Sequence, residues 1–406
     1  MKVEERFLEY VKYDTQSDEH SLTTPSSLKQ LQLAEYLVNE MKDMGIDDAY
    51  VDEFGIVYGT IPANVEKDIP VIGFIAHMDT SPDMSGKDIH PRIVKNYDGS
   101  NIVLNEKLDI SMSPAEFECL SAKIGHDLIV TDGTTLLGAD DKAGIAEIMT
   151  MAETLLHTNM AHGTIQLAFT PDEEVGRGTD HFNVKAFGAD FAYTVDGGEI
   201  ESVDYENFNA ASAQIEIQGL SIHPGSAKGK MLNASLLAME FHSMLPVEKN
   251  PAYTEGYEGF NHLIELQGEC EHASMSYIIR NHDEVLFEQQ KEEFRRIANY
   301  MNEKYPSNTI SLEIKDSYAN MRTIIEKDMS VIELVKNSMK EIGIEPVSNA
   351  IRGGTDGARL TYEGLPCPNL GTGGYNYHGK YEFASINEMN KSVELLLKIV
   401  ENSLSL

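Results

Sequence analysis

The chain has 406 residues, more than one compact core usually holds, so two domains are the default expectation. Its formal net charge of -34 at pH 7 argues against nucleic-acid binding, because an acidic surface repels phosphates. Hydrophobic residues make up 41% and charged residues 24%, the balance of an ordinary soluble globular protein.

The cysteines and the N-terminal residues favour an intracellular protein. Cys119, Cys270 and Cys367 are widely separated and lack metal-ligand spacing, which favours a reducing compartment. The first residues carry charges throughout, and no later run approaches membrane-spanning length. The sequence therefore predicts a cytoplasmic protein with no membrane partner.

The first part of the chain alternates between helical and strand-like patterns. Residues 28–44 place apolar side chains at helical spacing, which predicts an amphipathic helix. Residues 71–76 form a short apolar run of the kind buried on both faces of a parallel sheet. Similar runs at 165–169 and 191–195 follow a helical stretch at 142–156. This alternation predicts an α/β sheet.

The middle of the chain has a different pattern. Its predicted elements are a strand at 213–218, a helix at 231–245, strands at 263–267 and 274–279, a helix at 284–305 and a strand at 309–314. The order βαββαβ predicts a small antiparallel sheet with two helices on one face. We expect this unit, residues 209–319, to be a lid inserted into a first domain formed by residues 1–208 and 320–406.

After this unit the α/β pattern resumes. Ser330-x-x-Glu333 and Ser385-x-x-Glu388 resemble capping boxes, in which a Ser and a Glu side chain each bond to the backbone at a helix start. They predict two amphipathic helices, the first closing at Gly343 and the second running to the C-terminus.

Five short islands with metal-binding side chains end apolar runs or lie in Gly-rich turns. The islands are His77-Met78-Asp79, Asp140-Asp141-Lys142, Asp172-Glu173-Glu174, Asp196-Gly197-Gly198 and His378. Together they supply two imidazoles and several carboxylates, the ligand set expected of a catalytic site for two divalent ions. Taken singly, most of them are also explained by a cap, a turn or a solvated loop.

The first island suggests a ligand and its orienting partner. His77 and Asp79 follow an apolar run, and residues two apart in an extended segment point to the same side. A metal-binding histidine usually donates its second N–H to a carboxylate, so we interpret His77 as the ligand and Asp79 as its partner. A histidine satisfied by a local carboxylate is the alternative.

The next two islands supply most of the carboxylates. A carboxylate has two oxygens, so Asp140 is the candidate to bridge two ions, with Asp141 supporting the helix start; a plain helix cap is the alternative. Glu173 and Glu174 can converge only if the chain turns beyond Pro171, which a proline favours. One of them would bind metal, and the other would act as a general base whose pKa is raised by neighbouring charge.

The last two islands complete the ligand set. Asp196 ends a buried run and precedes glycines that let the backbone approach closely, so it is a natural terminal ligand. A lone histidine in a Gly/Tyr-rich loop is usually unremarkable, and His378 gains weight because a second ion needs a nitrogen ligand. The sequence contains no Gly-x-Ser-x-Gly, P-loop or His-Glu-x-x-His motif.

These motifs together resemble a known enzyme family. Residues 77–83, 137–142, 171–178 and 195–198 are similar, in order and spacing, to motifs of the co-catalytic zinc metallopeptidases related to aminoacylase and carboxypeptidase G. The similarity spans nearly the whole chain and is greatest to the tripeptide aminopeptidases. It implies a zinc-peptidase-like mixed sheet flanked by helices, with an inserted α+β lid of ferredoxin-like βαββαβ order.

The resemblance also implies a role for each site residue. The implied metal ligands are His77 and Asp196 on one zinc ion, Glu174 and His378 on the other, and Asp140 as the bridge. Glu173 would be the general acid/base, Asp79 would orient His77, and the peptide bond after Asp140 would be cis. Manganese or cobalt would be possible substitutes for zinc, since carboxylate-rich sites accept them.

Three residues of the middle unit resemble substrate-binding residues of the family. His223, in the motif 221–225, would stabilise the tetrahedral oxyanion, and in several relatives this histidine comes from a dimer partner. A homodimer is therefore one arrangement that the resemblance allows. Arg280 and Arg352 would anchor the substrate carboxylate, since a guanidinium binds a carboxylate through two hydrogen bonds; ordinary surface ion pairs are the alternative.

The expected activity is hydrolysis of the N-terminal residue from tripeptides, by metal-activated hydroxide with Glu173 as base. A dipeptidase, a carboxypeptidase or an N-acyl amino acid deacylase on the same scaffold is the alternative. A non-catalytic metal-binding protein is disfavoured, because a structural metal site has no need of a spare carboxylate such as Glu173 beside a ligand.

Overall fold

The computed structural model describes residues 1–306 and 308–406. The chain forms two compact units, which are described separately. The first unit comprises Met1–Tyr205, Thr323–Asn349 and Thr355–Leu406, and the second comprises Glu206–Arg322 and Ala350–Gly354. Along the described part of the chain, no helix combines the length and the apolar character needed to cross a membrane.

The helices and strands of the described residues are numbered in chain order. The helices are α1 (Val3–Tyr10), α2 (Gln30–Met44), α3 (Ala139–His157), α4 (Val184–Phe187), α5 (Ala234–Ser243), α6 (Glu284–Lys304), α7 (Arg322–Ile325), α8 (Ser330–Glu341), α9 (Asp356–Tyr362) and α10 (Ile386–Ser403). Short 3-10 helices occur at Glu118–Lys123, Glu173–Val175, Pro224–Ser226 and Pro251–Tyr253. The strands are β1 (Tyr50–Val51), β2 (Val57–Ile61), β3 (Ile72–His77), β4 (Arg92–Val94), β5 (Ile102–Asn105), β6 (Ile110–Met112), β7 (Leu128–Val130), β8 (Ile165–Thr170), β9 (Phe191–Gly197), β10 (Val203–Asp204), β11 (Glu206–Asn207), β12 (Asn209–Gln218), β13 (Phe260–Gly268), β14 (His272–Asn281), β15 (Ile310–Tyr318), β16 (Ala350–Ile351), β17 (Asn369–Gly371), β18 (Gly374–Tyr375) and β19 (Phe383–Ser385).

The first unit is built on a seven-stranded sheet in the order β1-β2-β8-β3-β9-β17-β10. Its central strands β8, β3, β9 and β17 run parallel, while β1, β2 and β10 pair antiparallel at the two sides. This confirms the predicted mixed sheet. The register sets His77 beside Thr170 at the ends of β3 and β8. The segments that follow these parallel strands therefore begin at the same edge of the sheet.

Both faces of the sheet are covered. All residues of β3 are buried, as its continuous apolar run predicted. Helix α3 packs on β3 and β9, and Gly144 permits this approach because a Cβ there would lie 1.9 Å from the Val195 carbonyl oxygen. On the face that carries Ile75, a cluster that includes Phe187 and Leu360 completes the core. Since successive strand residues point to opposite faces, this packing explains why β3 is apolar throughout.

A smaller four-stranded sheet of order β18-β19-β7-β4 also belongs to the first unit, and the sequence analysis did not predict it. Strands β18 and β19 pair antiparallel, so residues 376–382 form the connecting loop of a hairpin. The aromatic rings of Tyr375 and Phe383 stack at a centroid distance of 5.0 Å and lie in a buried cluster under this sheet. The hairpin thus has its own core, and its loop carries His378.

The second unit has the predicted βαββαβ order, formed by β12, α5, β13, β14, α6 and β15. Its four-stranded antiparallel sheet has the order β13-β14-β12-β15. Alternate residues of β12, including Ala213, Ile215 and Ile217, pack with Phe241 of α5 and Phe294 of α6 in one cluster. Both helices therefore cover the same face of the sheet, as predicted. The function of this unit as a lid stays a prediction.

The second unit also includes a segment that the sequence prediction assigned to the first. Strand β16 pairs parallel with β11, which matches Glu206 with Ala350 and Asn207 with Ile351. Backbone pairing of this kind joins segments that are distant in sequence, and two-residue strands leave no periodic signal. Residues 350–354 are therefore placed with the second unit.

The two predicted capping boxes have different outcomes. Ser385 caps α10, because its Oγ accepts a hydrogen bond from Glu388 N at 3.3 Å, although the Glu388 carboxylate binds other side chains. The prediction at Ser330 is wrong, because α8 is capped by Met329 and Ser330 is already its first helical residue. The Ser330 backbone N–H donates to the Asp328 carboxylate at 3.0 Å, which explains the earlier start.

Candidate metal centre

The five predicted metal ligands meet at one edge of the main sheet. His77 and Asp196 lie at the carboxyl ends of β3 and β9, and Glu174 lies in the turn after β8. Asp140 precedes the regular part of α3, and His378 comes from the β18–β19 hairpin loop. Segments that are far apart in the sequence thus supply one cluster of imidazole and carboxylate groups.

Asp140 lies between the two imidazoles. Its Oδ1 is 2.8 Å from His77 Nε2, and its Oδ2 is 3.3 Å from His378 Nε2. Each carboxylate oxygen therefore faces a different histidine. This is the arrangement expected of a carboxylate that bridges two cations.

The remaining ligands divide into two halves around Asp140. In the His77 half, His77 Nε2 is 3.5 Å from Asp196 Oδ1. In the His378 half, His378 Nε2 is 2.9 Å from Glu174 Oε2. The division of ligands between two ions that the family resemblance implies stays a prediction.

Asp79 contacts both the histidine and the glutamate turn. Its Oδ1 is 3.3 Å from His77 Nδ1, and its backbone carbonyl oxygen is 3.1 Å from the same nitrogen, so its role in orienting the ring stays a prediction. The same carboxylate accepts hydrogen bonds from Glu173 N at 3.0 Å and from Glu174 N at 3.1 Å. Asp79 therefore fixes the turn that carries both glutamates, a function that the sequence analysis did not foresee.

The glutamate turn follows Pro171, where the sequence analysis required a change of direction. Asp172 has a left-handed backbone with φ of +58°, and residues 173–175 form a 3-10 turn. The buried Asp172 carboxylate accepts hydrogen bonds from Ser26 N at 2.6 Å, from the Ser26 hydroxyl and from Gln30 Nε2 at 2.7 Å. These bonds anchor the turn to the start of α2. Sequence reasoning missed this role of Asp172.

Glu382 holds the loop that carries Asp140. Its buried carboxylate accepts three backbone hydrogen bonds, from Leu137 N at 2.6 Å, Gly138 N at 2.9 Å and Asp140 N at 3.1 Å. Because Glu382 belongs to the hairpin loop of His378, it joins two ligand-bearing loops. Its sequence signal is an acid directly before the short buried strand β19, and the sequence analysis did not use it.

Asp141 supports the helix start as predicted, and it also contacts a ligand. Its Oδ1 accepts from Gly144 N at 3.2 Å, and its Oδ2 accepts from His77 N at 3.3 Å. The Asp140–Asp141 peptide bond is cis, as the resemblance implied. Asp141 therefore connects α3 to the end of β3.

Burial and crowding both disfavour negative charge in the centre. Burial is the largest cause that raises the pKa of Glu174 to about 7 and of Asp196 to about 6. Burial, followed by neighbouring carboxylates such as Asp196, also raises the pKa of Glu173 well above its ordinary value. A cation placed among these groups would offset the penalty.

The pKa values of both histidines are raised as well, which favours their positively charged forms. Hydrogen bonds to Asp140 and Glu174 raise the pKa of His378 to about 11. Burial alone would lower the pKa of His77, but Asp196, Asp140 and Asp79 raise it well above its ordinary value. The cluster thus attracts positive charge strongly.

The donor set fits divalent cations. Single ligand atoms of His77, Asp140 and Glu174 lie within 4.8 Å of one another, and so do those of His77, Glu173 and Asp196. Among the described residues, the buried Glu174 Oε1 has no hydrogen-bond partner, which an ion would supply. Imidazole nitrogen and carboxylate oxygen are ligands that zinc, manganese and cobalt accept. Glu173 is close enough to the site to bind an ion or to act as the base, so its assignment as the base stays a prediction.

The three substrate-binding candidates belong to the second unit. His223 is exposed, and its Nδ1 accepts from Gly225 N at 3.1 Å. Arg280 Nη1 donates to the carbonyl oxygens of Ala211 at 3.2 Å and Ile279 at 3.0 Å. These contacts fix Arg280 within the sheet and leave its substrate role as a prediction.

Arg352 is bound more extensively. Its Nη1 donates to the carbonyl oxygens of Gly256 at 2.6 Å and Glu258 at 3.0 Å, and its Nη2 donates to Thr254 Oγ1 at 3.1 Å. Its guanidinium also lies 5.1 Å from the ring centroid of Phe208. Arg352 thus stabilises the second unit, and its substrate role likewise stays a prediction.

The parallel strand ends of the main sheet and the neighbouring hairpin loop together gather two imidazoles and several carboxylates, the site of a metal-dependent hydrolase. The family comparison gives the class a name. The model of peptidase family M20/M25/M40 matches residues 131–402. The chain belongs to this family of peptidases.

Similar curated proteins share nearly the full length of the chain. Peptidase T of Caldanaerobacter subterraneus subsp. tengcongensis is 56% identical over 401 residues, which is 98% of each chain. Peptidase T of Clostridium perfringens is 55% identical over 401 residues, again 98% of each chain. This identity over nearly the full length groups the chain with the peptidase T proteins within the family.

Solved structures support the fold. The aminopeptidase PepT of Bacillus cereus matches with a TM-score of 0.77 and 23% identity, over 99% of this chain and 98% of that one. A tripeptidase of Staphylococcus aureus matches with a TM-score of 0.79 and 20% identity, over 100% of this chain and 98% of that one. A dinuclear metal-binding peptidase of Bacillus subtilis matches with a TM-score of 0.67 and 14% identity, over 99% of this chain and 98% of that one. All three have the same architecture as this chain.

Proposed function

We propose that this protein is a metal-dependent aminopeptidase that removes the N-terminal residue from tripeptides, with two zinc ions as its cofactors. One observation carries the proposal: the two oxygens of Asp140 face His77 and His378 separately, at 2.8 and 3.3 Å. A centre of this form suits two ions held side by side. The names of the peptidase T relatives and of the Staphylococcus aureus tripeptidase support the substrate class.

Each half of the centre would hold one ion. The ligands would be His77 and Asp196 for the first ion, Glu174 and His378 for the second, and Asp140 for both. Two bound divalent ions would lower the pKa of a water molecule towards neutrality and polarise the scissile carbonyl group.

Glu173 would move the proton. It would take a proton from the attacking water and return it to the nitrogen of the departing amine. Its backbone N–H is held by Asp79 at 3.0 Å, and burial raises its pKa well above the ordinary value. A carboxylate with a raised pKa is suited to accept a proton and to release it again near neutral pH.

The second unit would supply the substrate contacts. His223 would donate a hydrogen bond to the oxyanion that forms at the attacked carbonyl carbon. The C-terminal carboxylate of a tripeptide would bind a guanidinium through two hydrogen bonds. We rank Arg280 above Arg352 for this role, because both Nη atoms of Arg352 already bind residues 254–258.

A substrate-length series with zinc-loaded protein tests the proposal. We expect tripeptides with a free C-terminus to release their first residue fastest, and amidated tripeptides to react more slowly. Equal rates on dipeptides, tripeptides and tetrapeptides would overturn the tripeptide assignment. Faster hydrolysis of N-acyl amino acids would favour a deacylase, and release of the last residue would favour a carboxypeptidase.

The cellular setting is part of the proposal. The widely spaced Cys119, Cys270 and Cys367 support a cytoplasmic location, and none of them forms a disulfide within the described residues. In that compartment the enzyme would break down short peptides from protein turnover. A homodimer stays a prediction that sedimentation analysis would check.

A further inference from the structure

His378 has a carboxylate on each side of its imidazole ring. On one side, Nε2 is 2.9 Å from Glu174 Oε2 and 3.3 Å from Asp140 Oδ2. On the other side, Nδ1 is 3.3 Å from Asp83 Oδ2. Asp83 has no place in the ligand set or in the proton transfer described above, so its contact with a ligand needs an explanation.

The chemistry of a metal-binding imidazole supplies that explanation. A ring that binds an ion through Nε2 must keep its proton on Nδ1, and this N–H then needs an acceptor. We propose that Asp83 is a positioning residue that accepts this hydrogen bond and thereby orients His378 towards the second ion. The inference rests on the proposed function, because it assumes that His378 holds an ion.

The other half of the centre shows the same arrangement. His77 Nδ1 is 3.3 Å from Asp79 Oδ1, while His77 Nε2 faces Asp140. Both histidines therefore face Asp140 at Nε2 and have another carboxylate oxygen 3.3 Å from Nδ1, and His77 Nδ1 has the Asp79 carbonyl oxygen at 3.1 Å as well. The repeated geometry argues that Asp83 does for His378 what Asp79 does for His77.

The hairpin loop alone does not set the direction of the His378 ring. Its backbone is left-handed, with φ of +64°, and the loop is held through Tyr377 OH, which donates to the Gly197 carbonyl oxygen at 2.9 Å, and Asn376 Nδ2, which donates to the Tyr381 carbonyl oxygen at 3.2 Å. These bonds fix the main chain near His378. The ring still turns about its own side-chain bonds, so contacts with the ring nitrogens decide its orientation.

Asp83 is well placed to provide such a contact, because its own loop is anchored. Gln16 Nε2 lies within hydrogen-bond distance of three carbonyl oxygens of this loop, those of Ser81 and Pro82 at 3.3 Å and of Met84 at 3.1 Å. The Asp83 backbone N–H donates to Ser81 Oγ at 3.2 Å. The carboxylate thus extends from a fixed main chain although its side chain is 69% exposed.

The size of the expected effect follows from this exposure. Loss of the carboxylate partner of a metal-binding histidine typically lowers metal affinity by about 10–100-fold. Water can replace Asp83, because the His378 side chain is 42% exposed. We therefore expect a loss near the lower end of that range, about 10-fold, for one of the two ions.

Titration of the ion-free protein with Co²⁺, in competition with a chelator, tests the proposal. In Asp83→Ala, the Kd of the weaker ion should rise about 10-fold while that of the tighter ion stays within about twofold. In Asp83→Asn, the amide oxygen still accepts from Nδ1, so the rise should be smaller. The absorption spectrum of the second Co²⁺ should change in Asp83→Ala, because the imidazole is held differently.

The exposed Asp88 in the same loop provides the matched control, since Asp88→Asn removes the same charge. Unchanged dissociation constants in Asp83→Ala, or an equal rise in Asp88→Asn, would overturn the inference. Failure of the proposed function would look different, because the wild-type protein itself would then bind fewer than two Co²⁺ ions.

Discussion

The two histidines of the metal centre have carboxylate partners of the same kind in different surroundings. His77 ends a strand of the main sheet, and its side chain is 2% exposed beside a fully buried Asp79. His378 lies in a hairpin loop, and its side chain is 42% exposed beside Asp83, which is 69% exposed. The imidazole of one half is thus buried in the core of the fold, while the imidazole of the other half comes from a partly exposed hairpin loop.

This difference has an electrostatic consequence. A hydrogen bond or an ion pair is worth more where water is excluded than where water competes for the same groups. We therefore expect the His77 half to bind its ion more tightly and to lose it last. If burial is the cause, changes at the buried half should have the larger effects.

The largest effect is expected for Glu173, the proposed proton acceptor. Glu173→Gln should lower kcat by roughly 10²–10⁴-fold, because the proton acceptor is lost, while both ions stay bound. Steady-state kinetics and elemental analysis of the purified protein measure the two quantities. Loss of an ion instead would show that Glu173 is a ligand of the His77 half, and near-normal turnover would remove it from the mechanism.

Asp79 should come next. Asp79→Asn weakens the hold on the His77 ring and disturbs the acceptor of Glu173 N and Glu174 N, so the affinity of the tighter ion should fall about 100-fold. A Co²⁺ titration measures this affinity, with Asp83→Asn as the exposed counterpart. If the two asparagine variants lose affinity equally, burial does not distinguish the two halves.

Glu382 should have a moderate effect on both halves at once. Glu382→Gln turns an amide group towards three backbone N–H groups, so we expect the unfolding free energy to fall by about 1–3 kcal/mol. Because these bonds hold the loop of Asp140, the affinity for both ions should fall by a similar factor. Urea unfolding of the ion-free protein and the Co²⁺ titration are the measurements, with the exposed Glu116→Gln as control. A lower affinity for only one of the two ions would argue against Asp140 as a bridge.

The smallest effect concerns a buried carboxylate that faces no imidazole. Glu147 lies fully buried in α3, where its Oε2 accepts from Ser392 Oγ at 2.5 Å, and burial raises its pKa well above the ordinary value. The folded chain then binds this proton more tightly than the unfolded chain. Stability is therefore lost as the pH rises from the unfolded carboxyl pKa of about 4.3 towards the folded pKa.

Glu147→Gln should remove that loss. The variant should match the wild type near pH 5 and exceed it at pH 9, by roughly 1–2 °C in Tm for each 1 kcal/mol. Thermal unfolding from pH 5 to pH 9 provides the measurement. If the Tm of the variant falls as steeply with rising pH as that of the wild type, ionisation of Glu147 is not the cause of the loss of stability. The buried Glu147 carboxylate would then be tolerated without a neighbouring cation.

Sequence reasoning found most of the ligands because they follow a recognisable local pattern, whereas His378 was chosen because a second ion needs a nitrogen ligand. His77, Asp196 and the glutamates follow apolar strands, and the edge of a parallel sheet brings such positions together. The structure places all five proposed ligands and Glu173 in one cluster. Their individual roles remain predictions that the experiments above address.

The residues that sequence reasoning missed act through the backbone. Glu382 and Asp172 accept hydrogen bonds from main-chain N–H groups or from side chains that are distant in sequence, and no local pattern reports such partners. The small sheet that includes the hairpin was not predicted for a related reason, because strands of two or three residues show no periodic pattern. The pattern at Ser330 was misleading, since Asp328 binds the Ser330 backbone N–H and α8 begins one residue earlier.

Anomalous diffraction at the zinc edge from crystals of the zinc-loaded protein tests the central claim most directly. Our account predicts two peaks per chain, one contacted by His77 and Asp196, the other by Glu174 and His378, with Asp140 touching both. A single peak, or a peak whose ligands include Glu173 in place of Asp196, would contradict it.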